Sequence, residues 1–149
     1  MAAPNRDSAQ QHAAVAAPQE CSGGLYSIRM HFDASCTVLL TGATGYIGSL
    51  VLEKLLRSTE VGRVYVLLRA RRGAGPEERL AKLLQGPLFH LIDGNQAARA
   101  AAVAGDLLAP GLGLSREDEA RLVAEVDTVI HSAAGACVRW VHVAVCALG

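Results

Sequence analysis

The chain has 149 residues, of which 51% are hydrophobic and 4% aromatic, with 14 basic and 14 acidic side chains and a formal net charge of zero. That length holds one domain with a real core and is short for an enzyme of two lobes. The balanced charge excludes the basic excess of a nucleic-acid binder, and no apolar run approaches the roughly 18 residues that a bilayer span needs.

Residues 1–27 are rich in Ala, Gln and Pro and read as a flexible tail. The tail has no positive n-region and carries Asp7 and Glu20, so a plain tail is favoured over a transit or signal peptide. Cys21, Cys36, Cys137 and Cys146 are scattered with no CxxC, so reduced thiols in an intracellular compartment are expected. Cys36-Thr37-Val38-Leu39-Leu40 is a continuous apolar run with β-branched residues and ends in Thr-Gly, the pattern of a buried parallel strand. From Tyr46 the apolar residues fall at helical spacing. They predict a buried face of Ile47, Leu50, Val51, Leu55 and Leu56, with Glu53, Lys54 and Arg57 opposite. Arg63–Leu68 reads as a second strand. Pro76 opens a second helix with Glu77 and Glu78 at its positive end and Leu80, Leu83 and Leu84 along it. Pro87 stops that helix, and a short helical piece follows towards Leu91.

Ala100–Ala104 is a weak third strand whose alanines suit a helix equally. Ser115 with Asp118 three residues on predicts an N-cap for a helix burying Leu122, Val123 and Val126. Asp127–His131 is a fourth strand. Strand and helix alternate throughout, which calls for a doubly wound α/β architecture on a parallel sheet. With about four strands that sheet is incomplete. The expectation is that its first strand lacks neighbours, exposes an unpaired edge and leaves the chain marginally stable without a ligand.

The stretch LLTGATGYIG joins the first strand to the first helix. A helix N-terminus offers unpaired N–H groups and partial positive charge, which a pyrophosphate satisfies. Gly42 permits the tight turn, Gly45 lets phosphates approach the backbone, and Gly48 lets helix and strand pack closely. An NAD site usually places an acid about 20 residues on, at the end of the second strand. Here that strand ends in Arg69, with Arg71 and Arg72 following, and the nearest downstream acids are Glu77 and Glu78. A guanidinium suits a 2′-phosphate, so the reading is NADP over NAD. Asp106 either accepts from the adenine amino group or caps the next turn. His131 reads as a packed strand-end residue before the small residues Ser132, Ala133 and Ala134.

The combination TGATGYIG, VYVLLRARRG, PEERLAKLL with PLF, GDL, GLGLS-x-ED and V-x-x-VIHSAA resembles the NADP-binding half of fatty acyl-CoA reductases, extended short-chain dehydrogenases. The resemblance covers residues 28–134, leaving 135–149 as a divergent end. It implies a Rossmann-like fold, fatty acyl-CoA as substrate and NADPH as reductant. It also implies a cofactor set. Thr41, Gly42, Thr44, Gly45, Tyr46, Ile47 and Gly48 would take the phosphates and Arg69 the 2′-phosphate. Asp106 and Leu107 would lie at the adenine, and Ser132 and Ala133 near the cofactor ribose.

The family's Tyr-x-x-x-Lys pair is absent. Four residues after Tyr26, Tyr46 and Tyr65 stand Met30, Leu50 and Arg69, and the lysines are Lys54 and Lys82. No catalytic residue is therefore assigned, and a catalytically inactive NADP-binding fragment is the alternative reading. A thioester-reductase domain of a carboxylic acid reductase shares the cofactor motifs, but about 35 residues before the first strand leave no room for a carrier domain within this chain. His131, Cys137, His142 and Cys146 fit no standard zinc spacing, so no metal is assigned.

Overall fold

The computed structural model describes residues 31–71, 73–133 and 144–147, so the expected N-terminal tail and Arg72 lie outside the described residues. The elements in chain order are β1 (Thr37–Thr41), α1 (Tyr46–Ser58), β2 (Arg63–Leu68), α2 (Pro76–Leu84), α3 (Gly94–Ala97), β3 (Ala100–Ala104), α4 (Arg116–Glu125), β4 (Thr128–His131) and β5 (Ala144–Ala147), with short 3₁₀ turns at Pro87–Phe89 and Pro110–Gly113. The sheet order is β3-β2-β1-β4-β5. The first four strands run parallel, and β5 is antiparallel to β4.

This order corrects the expected exposed edge at the first strand. β1 is interior, pairing with β2 on one side and β4 on the other, and the outer strands are β3 and β5. The chain lays β1, β2 and β3 down in one direction and then crosses β1 to place β4. The C-terminal ends of β1 and β4 therefore meet at a topological switch point, where open α/β sheets bind ligands.

Helices cover both faces. Val38, Leu40, Val64 and Val66 face Leu52, Leu55 and Leu56 of α1 together with Leu80 and Phe89. On the other face Leu39, Tyr65, Leu67 and Val103 meet Leu122 of α4 and Val126, which caps its C-terminus. Alternation along each strand sends successive side chains to opposite layers, so a strand buried on both sides reads as one apolar run. The alanine run 100–104 is a strand because β2 pairs with it residue for residue, from Val64↔Ala100 to Leu68↔Ala104.

The helix faces differ from expectation in two places. In α1 the buried residues are Gly48, Leu52, Glu53, Leu55 and Leu56, while Ile47 and Leu50 are exposed. Gly48 is forced against the β1 loop, so the inward stripe runs 48, 52, 55, 56, and Ile47 falls about 100° away. Glu53 is covered rather than solvated, and its carboxylate accepts from Arg57 one turn on. Leu122 in α4 and Val126 at its C-cap are buried, and Val123 is 79% exposed. The N-cap at Ser115 forms as expected, its hydroxyl accepting from the Asp118 N–H at 3.0 Å.

Two side-chain clusters fasten the layers. Arg99, half-buried at the entry to β3, donates to the carbonyls of Leu56 (2.9 Å) in the last turn of α1 and of Thr59 (3.0 Å) and Val61 (3.3 Å) just after it. A cation at a helix C-terminus satisfies orphan carbonyls and the negative end of the dipole together. The Tyr65 hydroxyl donates to Glu125 of α4, with the Arg121 guanidinium 5.3 Å from the ring centroid. Burial, with Glu125 beside it, raises the Tyr65 pKa.

Replacing Arg99 with Ala removes these charge-assisted bonds and is expected to cost about 1.5–3 kcal/mol, measured by urea unfolding. Tyr65 holds its proton more tightly folded than unfolded. Its contribution is complete below the ordinary tyrosine value near 10 and is lost as pH rises through the higher folded value. Alkaline unfolding scans should show a loss of stability beginning near pH 10 that is smaller in Tyr65→Phe; identical slopes would refute the assignment.

Candidate functional site

The loop between β1 and α1 is built on the end of β4. Gly42 has φ +77°, and a Cβ there would stand 2.5 Å from the Ala133 nitrogen. Only glycine takes this backbone without strain. A Cβ on Gly48 would overlap the Gly42 carbonyl oxygen and stand 2.6 Å from the Ser132 hydroxyl. The Gly45 N–H donates to the Gly42 carbonyl at 2.9 Å, closing the turn. Gly45 itself has an ordinary φ of −83°, and a Cβ on it would meet only the Gly42 oxygen at 3.3 Å. Gly42 and Gly48 are therefore fixed by the protein's own packing, whereas Gly45 leaves room on the outside of the loop.

The β4 end grips the same turn by hydrogen bonds. The Ser132 N–H (3.2 Å) and hydroxyl (2.7 Å) both donate to the Thr41 carbonyl. The Thr41 hydroxyl shares a 2.7 Å hydrogen bond with His131 Nδ1. Thr44, Gly45, Tyr46 and Ile47 are exposed around the start of α1. That helix has no side-chain cap and no acid in its first turn. By contrast α2 carries Glu77 and Glu78, and α4 carries Glu117, Asp118 and Glu119, at the same place. The positive end of α1 is left without an anionic side chain of its own, an arrangement that suits a phosphate.

Arg69 projects from the end of β2, 56% exposed, with its guanidinium 3.9 Å from the Asp106 carboxylate at the end of β3. Asp106 accepts from the Leu108 N–H at 3.0 Å, so the turn-capping role expected as one alternative is the contact seen. Leu107 is 38% exposed beside it. The structure thus gathers Thr41 to Gly48 with Ser132 and Ala133 at the switch point, and Arg69 with Asp106 and Leu107 one and two strands away. Arg71 lies in a hairpin bridge with Ala74. Sequence reasoning missed Arg79: its guanidinium donates to the Arg69 carbonyl at 2.5 Å. Arg71, Ala74, Glu78, Arg79 and Lys82 line an open hollow next to that strand end. A helical arginine ten residues downstream carries no sequence signal for this contact.

Among the described residues no His, Cys, Asp and Glu cluster could hold a metal. Cys137 and His142 of the considered set lie outside the described residues. Among the described residues no helix is long and apolar enough to cross a membrane.

A glycine-rich strand–turn–helix at the switch point of a parallel sheet defines a dinucleotide-binding module of Rossmann type. The male sterility protein family, an NAD-binding family, matches residues 40–144. Fatty acyl-CoA reductase 1 of Homo sapiens is 45% identical over 114 residues, 74% of this chain and 22% of the relative. Fatty acyl-CoA reductase wat of Drosophila melanogaster is 37% identical over 100 residues, 65% of this chain and 19% of that protein. Among solved structures, the reductase domain of a non-ribosomal peptide synthetase from Mycobacterium tuberculosis superposes with a TM-score of 0.57 at 37% identity, over 68% of this chain and 24% of that one. The chain belongs to the fatty acyl-CoA reductase family, and it spans about a fifth of the length of the curated relatives it matches.

Gly48→Ala should separate α1 from β1 and cost about 2–3 kcal/mol in chemical denaturation. Gly45→Ala should cost no more than about 1 kcal/mol, since its Cβ would meet only the Gly42 carbonyl oxygen, at 3.3 Å. Equal losses at both positions would contradict the division between packing and open glycines.

Proposed function

We propose that this chain is the NADPH-binding part of a fatty acyl-CoA reductase, a protein that reduces fatty acyl-CoA thioesters to alcohols. The observation that carries the cofactor choice is the end of β2. It presents Arg69, and the Asp106 carboxylate at the end of β3 is paired to that arginine at 3.9 Å. Two vicinal ribose hydroxyls would call for a free carboxylate there; a 2′-phosphate calls for a cation. Arg71, Arg79 and Lys82 outnumber the single acid, Glu78, in the adjoining hollow. The names of the relatives support the acyl-CoA substrate.

In this reading the backbone of residues 42–48 and the start of α1 hold the diphosphate. Arg69 sets the 2′-phosphate, and Ser132 and Ala133 border the nicotinamide ribose. The bound NADPH supplies the hydride. The 149 residues contain no Tyr-x-x-x-Lys pair to deliver the proton to the carbonyl oxygen, so the chain's own contribution is binding and orientation. That absence also keeps the second reading, an NADP-binding fragment without catalysis of its own.

The test is titration of the purified chain with NADPH and NADH, alongside Arg69→Ala. NADPH should bind more tightly than NADH, and Arg69→Ala should weaken NADPH about tenfold or more while leaving NADH nearly unchanged. Equal affinity for the two cofactors in the wild-type chain would sink the NADP assignment.

A further inference from the structure

The glycine loop is seated against the end of β4. Three successive residues at the end of that strand touch it: His131, the last of β4, and Ser132 and Ala133 after it. Ala133 blocks any side chain at Gly42, Ser132 takes the Thr41 carbonyl with two donors, and His131 takes the Thr41 hydroxyl. Thr41 and His131 are register partners in the β1–β4 pairing, so their side chains stand side by side on one face of the sheet. Thr41 is 3% exposed, and among the described residues His131 is the only hydrogen-bond partner of its hydroxyl. Without the imidazole that hydroxyl is buried and unsatisfied, and the residue directly before Gly42 loses its side-chain anchor.

We propose that His131 is a positioning residue for the glycine loop: through Nδ1 and the Thr41 hydroxyl it holds the turn in the form that receives a dinucleotide diphosphate. It touches neither cofactor nor substrate in this role. The inference rests on the reading that this loop binds a dinucleotide, and it goes further by assigning a residue that acts from behind the loop. The role belongs to Nδ1 alone. Asn, whose side-chain amide reaches the Nδ1 position, should preserve it. Gln, which reaches the Nε2 position instead, should not.

The experiment compares the full chain with His131→Leu, His131→Asn and His131→Gln by two readouts. The first is amide hydrogen exchange of the segment 41–49 without cofactor. His131→Leu and His131→Gln should exchange there about fivefold or more faster than wild type. The β2 and α4 segments should keep wild-type rates, and His131→Asn should stay within about twofold of wild type. The second is the NADPH dissociation constant, expected to rise about tenfold in Leu and Gln and much less in Asn. Wild-type exchange and affinity in His131→Leu would overturn the proposal, as would faster exchange spread evenly over the sheet, or failure of Asn with rescue by Gln. Loss of loop protection in His131→Leu, together with no NADPH binding by the wild-type chain, supports the positioning role and overturns the cofactor reading instead.

Discussion

The site depends on one close approach, the α1 backbone at Gly48 against the Gly42 carbonyl and the Ser132 hydroxyl. A helix axis normally stands off a strand by the thickness of side chains. Here glycine removes that layer at one point, so the helix N-terminus sits directly over the β1 end. Everything the loop offers a ligand follows from that seat: the turn closed from Gly45 to Gly42, and the positive end of α1 left without an anionic side chain. The same contact decides which way α1 faces. With Gly48 turned inward, Leu52, Leu55 and Leu56 enter the core, and Ile47 and Leu50 are carried outward.

The two ends of the site are held differently. At the switch point the loop is clamped by buried groups, Thr41 and Ser132, whose hydrogen bonds lie largely away from solvent. At the β2 end the charges are exposed, and the Arg69–Asp106 pair at 3.9 Å is of the kind that contributes little to stability. A rigid cradle beside adaptable charge suits a ligand whose diphosphate must be placed while its ribose substituent is selected. The loop following β3 is stiffened by a different device. Leu112 takes a left-handed φ of 58° between Gly111 and Gly113, and its carbonyl accepts from the Asp106 N–H at 2.7 Å. A local backbone cost is thereby used to hold Asp106 at the strand end.

Most of the fold was legible in the sequence because its signals are local. Short apolar, β-branched runs gave β1, β2 and β4 within a residue of their observed ends, and Ser115 with Asp118 marked the start of α4 by chemistry that spans three residues. Arg69 at the end of β2 could be read because strand ends are where ligands meet a parallel sheet. Arg79 and Arg99 could not be read. Each bonds carbonyls contributed by another element, and nothing in the surrounding sequence distinguishes them from solvated helix or loop charges.

The sequence by itself determined the alternation of strands and helices, and with it the parallel sheet, the glycine turn and the cationic end of β2, since each is written in neighbouring residues. Tertiary structure decided what depends on partners distant in the chain. Ala100–Ala104 became a strand through its ladder to β2. β1 became the sheet's interior strand because β4 crossed to its free side, and β5 then paired antiparallel along β4. His131 became part of the loop's foundation because the register set it opposite Thr41, 90 residues earlier in the chain. Hydrophobic periodicity reports only that a residue has a buried side; which neighbour buries it is fixed when the sheet closes.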